Sequence, residues 1–482
     1  MPTIKTPILG GSYTARSLNE AANRMINLYS EVTPEGGKEA GYLMRCPGTR
    51  LVATVGTGPI RGMWQSKSVL YVVSGNEFYK VGSDWVPVFI GNVDNGVDTV
   101  SMSDNGYQVF IACNPRAFIY NITTTAFAEI TDPDFVGARS VAFIGGYFVF
   151  NEPFSQRVWV TTLLDGTSVD PLDFASAEAG TDNIRTLIAD HKEIWLFGAN
   201  TIEVWYNAGN VDYPLSPISG AYIETGIEAY RSLAKCDNSL FWLGSDTRGD
   251  GIVYRTNGYT PIRVSTHALE WQIQNYGKMT DAIGYSYQMD GHLFYVLTFP
   301  SANKTWCYDI STGLWHERGE FNETTDSFTR HRSNCQAYFN EEIITGDFDN
   351  GNIYAFDMAV YTDNGNMNKW VRSWRALPTG QNDLKRTIHH SLQLDCETGR
   401  GTATGQGQHP LVNLRWSDDG GHTWGNYHAM SLGAGGDWGT RVIWRRLGMT
   451  TKLRDRVYEI SGTDPVRMDI MGAQLDISAT RS

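Results

Sequence analysis

The sequence has little charge, few cysteines and no long apolar run. Charged residues make up 19% of its 482 residues and the formal net charge is −13, which argues against a general DNA-binding or membrane-binding protein. The six cysteines show no CxxC or zinc-finger spacing, so we expect free thiols. No apolar stretch reaches about 18 residues, and the first residues lack the apolar core of a signal peptide. We therefore expect a protein that is made in the cytoplasm and does not enter a membrane.

Glycine and aromatic residues are abundant instead. The chain contains 50 glycines, aromatic residues make up 12% of it, and no long block of Ala, Glu, Lys and Leu occurs. This composition is typical of an all-β protein. Seven apolar β-hairpins recur roughly 40 to 55 residues apart, at residues 69–81, 108–122, 147–162, 193–205, 240–255, 293–309 and 342–356.

The spacing of these hairpins predicts a β-propeller. Each hairpin follows a further strand-like run, and several precede another, which gives the four strands of one blade. We predict about seven four-stranded blades in a propeller of residues 47–370, with six or eight blades as open alternatives. Residues 51–55 are expected to close the ring by completing the seventh blade, because an open ring leaves two sheet edges unpaired.

The two ends of the chain differ from the repeat. Residues 1–46 are predicted to form an N-terminal arm, in which a capping pattern at Ser17 opens a short helix that runs to about Asn27. Residues 371–482 contain six strand-like runs separated by glycine-rich links, which is typical of a small β-sandwich. The prediction is thus an all-β chain with an arm, a propeller and a C-terminal platform domain.

One local motif fits the Asp box found on hairpins of sialidase-like propellers, with Ser417, Asp419, Gly421, Thr423 and Trp424. Asp419 is expected to accept backbone N–H groups across the turn, Gly421 to permit a positive φ, and Trp424 to cap the apolar side of the hairpin. We interpret the motif as a turn stabiliser. The alternative function is a sialidase-like propeller that hydrolyses glycans or binds them as a receptor protein.

No catalytic constellation is visible in the sequence. Glycosidases need two carboxylates about 5 to 9 Å apart, and nothing pairs two of the 52 acidic residues specifically. The histidines show no HExxH or HxH arrangement, and no glycine pair leads into a phosphate-binding loop. We therefore predict a protein that is not an enzyme, with no catalytic residues, no cofactor and no metal.

A basic segment in the C-terminal domain contrasts with the acidic chain. Residues 441–456 include six basic residues and one acidic residue. We interpret the segment as a candidate interface for an acidic protein partner or a phosphate backbone; the alternative is a solvated strand face. The candidate interface residues are Arg441, Trp444, Arg445, Arg446, Lys452, Arg454 and Arg456.

Four segments, in colinear order, resemble those of a known protein family. They are Asn27-Leu-Tyr-Ser-Glu31 followed by residues 41–48, residues 198–205 in the fourth hairpin, residues 419–425, and residues 441–448 followed by Val457-Tyr-Glu-Ile460. These segments make the chain similar to the packaged-DNA stabilisation proteins of short-tailed bacteriophages, which are tail hub or nozzle proteins.

The resemblance implies a virion protein that forms a hexameric ring beneath the portal and its adaptor. There it would extend the DNA channel, retain the packaged genome, and anchor tail fibres or spikes and a tail-tip plug. The expected partners are further copies of the chain, the portal-adaptor protein, those fibre, spike and plug proteins, and passing double-stranded DNA without sequence-specific binding. Deleting residues 1–46 is expected to weaken docking to the portal-adaptor ring more than it destabilises the propeller.

Overall fold

The computed structural model describes residues 3–18, 20–177, 180, 182–210, 213–246, 249–377, 385–451 and 454–480. Within these ranges the chain is all-β, as predicted, with one α-helix, α1 (His267–Gln274), and one 3-10 turn (Tyr230–Ser232). All six cysteines are free thiols, and four of them are buried. The structure consists of a ring of sheets and a two-sheet sandwich.

The described residues among the first 46 form strands and turns instead of an arm with a helix. The amides of Glu20 and Ala21 both donate to the Ser17 carbonyl oxygen, at 3.0 and 3.4 Å, so the capping pattern makes a single turn. The chain then extends, because the next two residues pair with an earlier strand. The predicted helix from Ser17 to Asn27 is therefore wrong, since strand pairing outweighs a local capping signal. The strands of this region are β1 (Thr3–Thr6), β2 (Tyr13–Thr14), β3 (Ala22–Asn23), β4 (Met25–Ile26), β5 (Leu28–Val32), β6 (Gly41–Arg45) and β7 (Gly48–Thr54).

The described residues that follow form seven antiparallel blades, and each contains one of the seven predicted hairpins. Blades 1 to 3 contain β8 (Ile60–Ser66), β9 (Val69–Ser74), β10 (Glu77–Val81), β11 (Pro87–Asn92), β12 (Ser101–Asp104), β13 (Gln108–Ala112), β14 (Ala117–Asn121), β15 (Phe127–Glu129), β16 (Val141–Ile144), β17 (Tyr147–Asn151), β18 (Arg157–Val160) and β19 (Phe174–Ser176). Blades 4 and 5 contain β20 (Ile184–Asp190), β21 (Glu193–Gly198), β22 (Ile202–Asn207), β23 (Leu215–Ile223), β24 (Gly226–Ile227), β25 (Ala234–Cys236), β26 (Ser239–Asp246), β27 (Gly249–Asn257) and β28 (Thr260–Arg263). Blades 6 and 7 contain β29 (Ile283–Met289), β30 (His292–Phe299), β31 (Lys304–Asp309), β32 (Leu314–Asn322), β33 (Ser327–Arg330), β34 (Ser333–Phe339), β35 (Glu342–Asp347) and β36 (Asn352–Asp357).

The ring closes through a strand from the N-terminal side of the repeat. β7 pairs antiparallel with β36, from Gly48 opposite Asp357 to Thr54 opposite Asn352, and becomes the outer strand of blade 7. This pairing confirms the predicted closure. It also supplies the fourth strand of blade 7, whose own stretch of sequence forms the three strands β34, β35 and β36.

Adjacent blades bury aromatic side chains between their sheets. Between blades 1 and 2, Tyr71 and Phe78 pack against Tyr120, with ring centroids 5.7 and 5.9 Å apart. Fully burying one such side chain contributes about 1.5–3 kcal/mol. Because these contacts join neighbouring repeats, each blade depends on the next for its core.

The sandwich has two sheets that enclose a single apolar core. The first has the order β43-β40-β45-β6-β5, with β1 alongside β45, and the second continues from β4 as β39-β44-β41-β42. The core includes Leu392 and Leu475 of the first sheet and Trp374 and Ile460 of the second, and all four side chains are completely buried. β37 (Thr362–Asp363) and β38 (Asn366–Met367) extend the sheet of blade 7 beyond β7. The later strands belong to the sandwich and are β39 (Trp370–Arg375), β40 (Thr387–Cys396), β41 (Leu411–Ser417), β42 (His428–Ser431), β43 (Ile443–Met449), β44 (Val457–Gly462) and β45 (Ile470–Ala479).

The short strand β4 joins the propeller to the sandwich. Ile26 pairs in parallel with Glu317 of blade 6 and antiparallel with Val371 of the sandwich, so one hydrogen-bonded sheet runs through both. β1, β5 and β6 lie in the other sheet of the sandwich. The predicted N-terminal arm is therefore corrected: its residues are structural parts of the sandwich and of this junction.

Arg45 fastens the same region to the segment between the two domains. Its side chain is 3% exposed, and its guanidinium donates to the carbonyl oxygens of Asp464, Val466, Tyr361 and Asn368 at 2.7 to 3.1 Å. Four backbone acceptors at such distances fix the chain on either side of the junction.

Candidate interaction surfaces

The edge strand β43 carries the exposed part of the basic segment. Among the described strands it pairs with β40 alone. Arg445 and Arg446 are exposed and form no ion pair with any residue whose position is described. Arg441, just before the strand, is exposed and donates from Nε to Gln393 Oε1 at 2.9 Å. Positive charge on an edge strand discourages stray pairing and leaves these cations available to a partner.

Two residues of the predicted interface lie inside the sandwich, and the prediction is corrected for both. Trp444 is 4% exposed, and its indole N–H donates to the His428 carbonyl oxygen at 2.8 Å. Arg456 is 2% exposed and donates to Asp418 Oδ1 at 2.7 Å and to the Leu447 carbonyl oxygen at 2.8 Å. These side chains stabilise the domain, because their polar atoms are already bonded within it.

The surface part of the patch is therefore smaller than the sequence suggested. Arg454 is exposed and precedes Asp455, whose carboxylate forms an ion pair with Arg375. Lys452 lies outside the described residues. Arg441, Arg445, Arg446 and Arg454 are the members that the structure places at the surface.

The Asp-box residues form a tight turn after β41. Both Asp419 carboxylate oxygens accept from the Thr423 amide, at 2.9 and 3.0 Å, and Ser417 Oγ donates to Asp419 Oδ1 at 2.6 Å. Gly421 has a φ of 103°, and its amide donates to Ser417 Oγ at 2.8 Å. The hydroxyls of Ser417 and Thr423 hold the pKa of Asp419 well below its usual range. The Trp424 ring packs under the Arg415 guanidinium, 4.9 Å from the ring centroid.

The Asp box and the basic segment meet in one ion pair. Asp418, inside the box, accepts two hydrogen bonds from the Arg456 guanidinium, at 2.7 and 2.9 Å. The carboxylate beside Asp419 is thus committed to a structural partner. The turn holds the sandwich together and presents no free carboxylate pair of the kind that glycoside hydrolysis needs among the residues described around it.

The junction between propeller and sandwich holds a charged cluster that sequence reasoning missed. The imidazole of His292 in blade 6 contacts Asp309 Oδ2 at 2.8 Å and Glu31 Oε2 of β5 at 2.7 Å. Asp309 and then Glu31 raise the pKa of His292 to about 9, against the effect of burial. The ring of Tyr29 packs edge-on against this imidazole at 5.1 Å. A protonated histidine therefore bridges the two domains.

The His292 cluster predicts that stability depends on pH. Its pKa in the folded state lies above the ordinary 6.5, so its stabilisation is complete below about pH 6.5 and is lost as the pH rises through about 9. The shift corresponds to about 3 kcal/mol. We expect the Tm of the wild-type protein to fall between about pH 7 and pH 10, and the fall to be much smaller in His292→Gln, as measured by differential scanning calorimetry.

His390→Gln is the control for this prediction. The His390 imidazole contacts the Ser478 hydroxyl at 2.9 Å and no carboxylate among the described residues. This variant is expected to keep the wild-type pH profile. An unchanged profile in His292→Gln would show that the cluster is not protonated near neutral pH.

Comparison with known families decides the identity. The family model described as bacteriophage P22 Gp10, beta-propeller, matches residues 4–361, and that described as bacteriophage P22 Gp10, beta-sandwich, matches residues 369–478. The chain belongs to the bacteriophage P22 Gp10 family. It is accordingly a structural protein of a phage tail, from a family that stabilises packaged DNA. The resemblance noted in the sequence is confirmed.

Solved structures similar to this Gp10 family member include domains of two other proteins. The WD40 β-propeller domain of Doa1 is 13% identical, with 64% of this chain and 97% of that chain covered and a TM-score of 0.41. The N-terminal domain of Nup159 is 10% identical, with 70% and 100% covered and a TM-score of 0.41. No curated protein matches the chain significantly.

The segments that resemble the Gp10 family acquire physical roles in the structure. In the first, Leu28 lies in the sandwich core, Tyr29 packs against blade 6, and Glu31 accepts from His292. Asn27 bonds to both domains. The sequence identified this segment only by its resemblance to the family, and its contacts with both domains could not be predicted without the fold.

Two further observations concern this Gp10 family member. Within the described ranges, no helix is long and apolar enough to cross a membrane. The part of the chain that the structure describes brings together no group of three or more His, Cys, Asp or Glu side chains that could hold a metal ion.

Proposed function

We propose that the chain is a tail hub, or nozzle, protein of a short-tailed phage. Six copies would assemble in the host cytoplasm as a ring below the portal-adaptor. The ring would extend the DNA channel, retain packaged DNA and anchor fibres or spikes and a tail-tip plug. The observation that carries this proposal is the match of both domains to the Gp10 family, in order and over most of the chain.

The contacts between the propeller and the sandwich support a structural role for the chain in the wall of a channel. The sheet that passes through β4, the Arg24–Glu317 ion pair at 2.9 Å and the Asn27 hydrogen bonds all cross the same boundary. Domains move relative to each other by default unless their interface is large and apolar, and here Tyr29 of the sandwich packs with Phe294 and Val296 of blade 6 in one apolar cluster. A subunit that behaves as one block suits a channel that holds DNA under pressure.

The net charge supports a passive channel. Each subunit carries a formal charge of −13, so a ring of six would be strongly acidic. We propose that the acidic residues line the lumen, where they would not hold DNA by counterion release. A lumen that is basic along its whole length would contradict this explanation of the charge.

The assembly is tested by mixing the purified protein with a portal-adaptor ring. Native mass spectrometry and negative-stain imaging are expected to show six copies docked end-on. Persistent failure to dock, or turnover of sialosides by the purified protein, would overturn the proposal. A monomer in isolation agrees with it, because the adaptor can template the ring.

The basic edge of β43 is proposed to contact the acidic partner in this assembly. We expect the double variant Arg445→Glu, Arg446→Glu to reduce docking at least tenfold, with an unchanged Tm, because both side chains are exposed. Lys67→Glu with Lys192→Glu makes the same charge change at exposed propeller turns and is expected to dock normally. Equal losses in both double variants would indicate an effect of net charge alone, and the edge would not be the contact.

A further inference from the structure

A cavity of about 610 Å³ lies at the axis of the propeller. Residues of all seven blades line it, in or just before the innermost strands. Each of these strands pairs with one described neighbour, and some of the remaining backbone groups bond to the next blade, as the Val141 and Leu187 amides do with the hydroxyls of Ser101 and Ser140. The volume falls within the range of small-molecule sites, about 300 to 1,000 Å³.

Arginine recurs at one place in the repeat, near the start of the innermost strand. Arg61, Arg139, Arg185 and Arg231 each stand 8 residues before the first residue of the second strand of their blade. Three of the four are neutralised by a carboxylate: the pairs are Arg61 with Asp94 at 3.3 Å, Arg185 with Glu228 at 3.3 Å and Arg231 with Asp98 at 2.8 Å.

Arg139 is the exception. It lines the cavity, and its side chain forms no ion pair or hydrogen bond with any residue that the structure describes. Its guanidinium lies between two aromatic rings, 4.7 Å from the centroid of Phe154 and 5.0 Å from that of Tyr230. Its Nε is buried without a hydrogen-bond partner. A buried donor left unpaired costs about 1–3 kcal/mol, which a ligand would recover.

The surroundings of Arg139 favour an anion. Burial lowers its pKa, and the nearby positive charges of Arg231 and Arg185 act in the same direction. Asp98 lies nearby but already accepts from Arg231, at 2.9 Å. The stacked rings hold the guanidinium plane in place, so its in-plane N–H groups can meet a carboxylate or phosphate with little loss of freedom.

We propose that Arg139 anchors a binding site for a small oxyanion, a carboxylate or a phosphate, at the mouth of the axial cavity. Tyr230 and Phe154 position the guanidinium, and the cavity beside it receives the rest of the ligand. The cavity is far smaller than a DNA duplex, so the ligand is a small molecule. The site is built within one subunit and does not depend on ring assembly.

The test is calorimetric titration of the full-length protein with inorganic phosphate and, separately, with malonate, at constant ionic strength in chloride. Saturable binding of at least one of them is expected at about one site per chain, and the preferred anion identifies the source of the ligand. Arg139→Gln is expected to weaken binding at least tenfold, since one charge-assisted bond contributes about 1.5–3 kcal/mol. Arg139→Lys keeps the charge but loses the planar fork, and an intermediate affinity is expected.

Arg157→Gln is the matched control. Arg157 lies in the same blade and stacks on one aromatic ring, 4.7 Å from the centroid of Phe174, outside the cavity. The Arg157→Gln variant is expected to bind phosphate and malonate with the affinity of the wild-type protein. Absence of saturable binding of both anions to the wild-type protein would overturn the proposal. The proposal would also be overturned if Arg139→Lys and Arg139→Gln both bound the anions as tightly as the wild-type protein. Circular dichroism shows whether the Arg139→Gln protein is folded.

Discussion

Replacing Asn27 by leucine is expected to lower the free energy of unfolding by about 3–6 kcal/mol. Asn27 is 2% exposed. Its Nδ2 donates to the carbonyl oxygens of Gly319 and Lys369, at 2.9 and 2.8 Å, and its Oδ1 accepts from the Gly319 amide at 3.0 Å. Leucine would leave all three backbone groups buried and unpaired at the junction of propeller and sandwich. Urea unfolding followed by tryptophan fluorescence measures the loss.

Asn364→Leu separates this effect from backbone strain. Asn27 and Asn364 both adopt left-handed backbone conformations, with φ of 53° and 49°, but Asn364 is exposed in the β37–β38 turn. A branched residue at such a φ costs about 1–2 kcal/mol, so this control reports the strain alone. Equal losses in the two variants would mean that the buried hydrogen bonds at Asn27 contribute nothing.

Removing residues 1–46 is expected to abolish the folding of the sandwich while the propeller survives. The deletion takes β1, β5 and β6 from one sheet and β4 from between the domains, and it exposes the core leucines that packed on Leu28 and Leu43. The strand that closes the ring begins at Gly48 and is retained. Limited proteolysis is expected to digest the C-terminal domain and to leave a fragment of about residues 48–357.

A shorter truncation provides the control. Removing residues 1–6 takes only β1, which pairs with β45 along four residues at Thr3 to Thr6, and both domains are expected to stay folded. A stable sandwich after removal of residues 1–46 would contradict the structure. With these results, a loss of ring docking after the long deletion reports an unfolded platform domain and not one missing contact.

The repeat could be predicted because its signals are local. In blade 4, the apolar runs within Glu193–Gly198 and Ile202–Asn207 flank a tight turn, and an apolar hairpin of this kind recurs in every blade. The two-residue strands β3 and β4 carry no such signal. Their conformation is decided by partners far away in the sequence, which is why the capping pattern at Ser17 was misleading.

The interaction surfaces could be predicted only in part, for a related reason. A run of arginines indicates a surface, and Arg445 and Arg446 fulfil that expectation. Arg456 does not lie at the surface, because it precedes β44, whose residues are all buried, and it forms an ion pair with the Asp418 carboxylate. Arg139 gave no signal, since Phe154 and Tyr230 meet it only after blades 3 and 5 come together.

The N-terminal strands also impose an order on biosynthesis. β7 has no partner until Asn352–Asp357 has left the ribosome, and β6, which pairs first with β5 alone, gains its second partner, β45, only near the end of the chain. The propeller ring can close once Asp357 has emerged, whereas the sandwich can complete its hydrogen bonding only after β45, so nascent chains expose unpaired strand edges for most of their synthesis. On a polysome, these exposed edges can pair with those of neighbouring nascent chains unless chaperones bind them. Slow translation of the last residues would lengthen the interval in which such wrong pairing is possible.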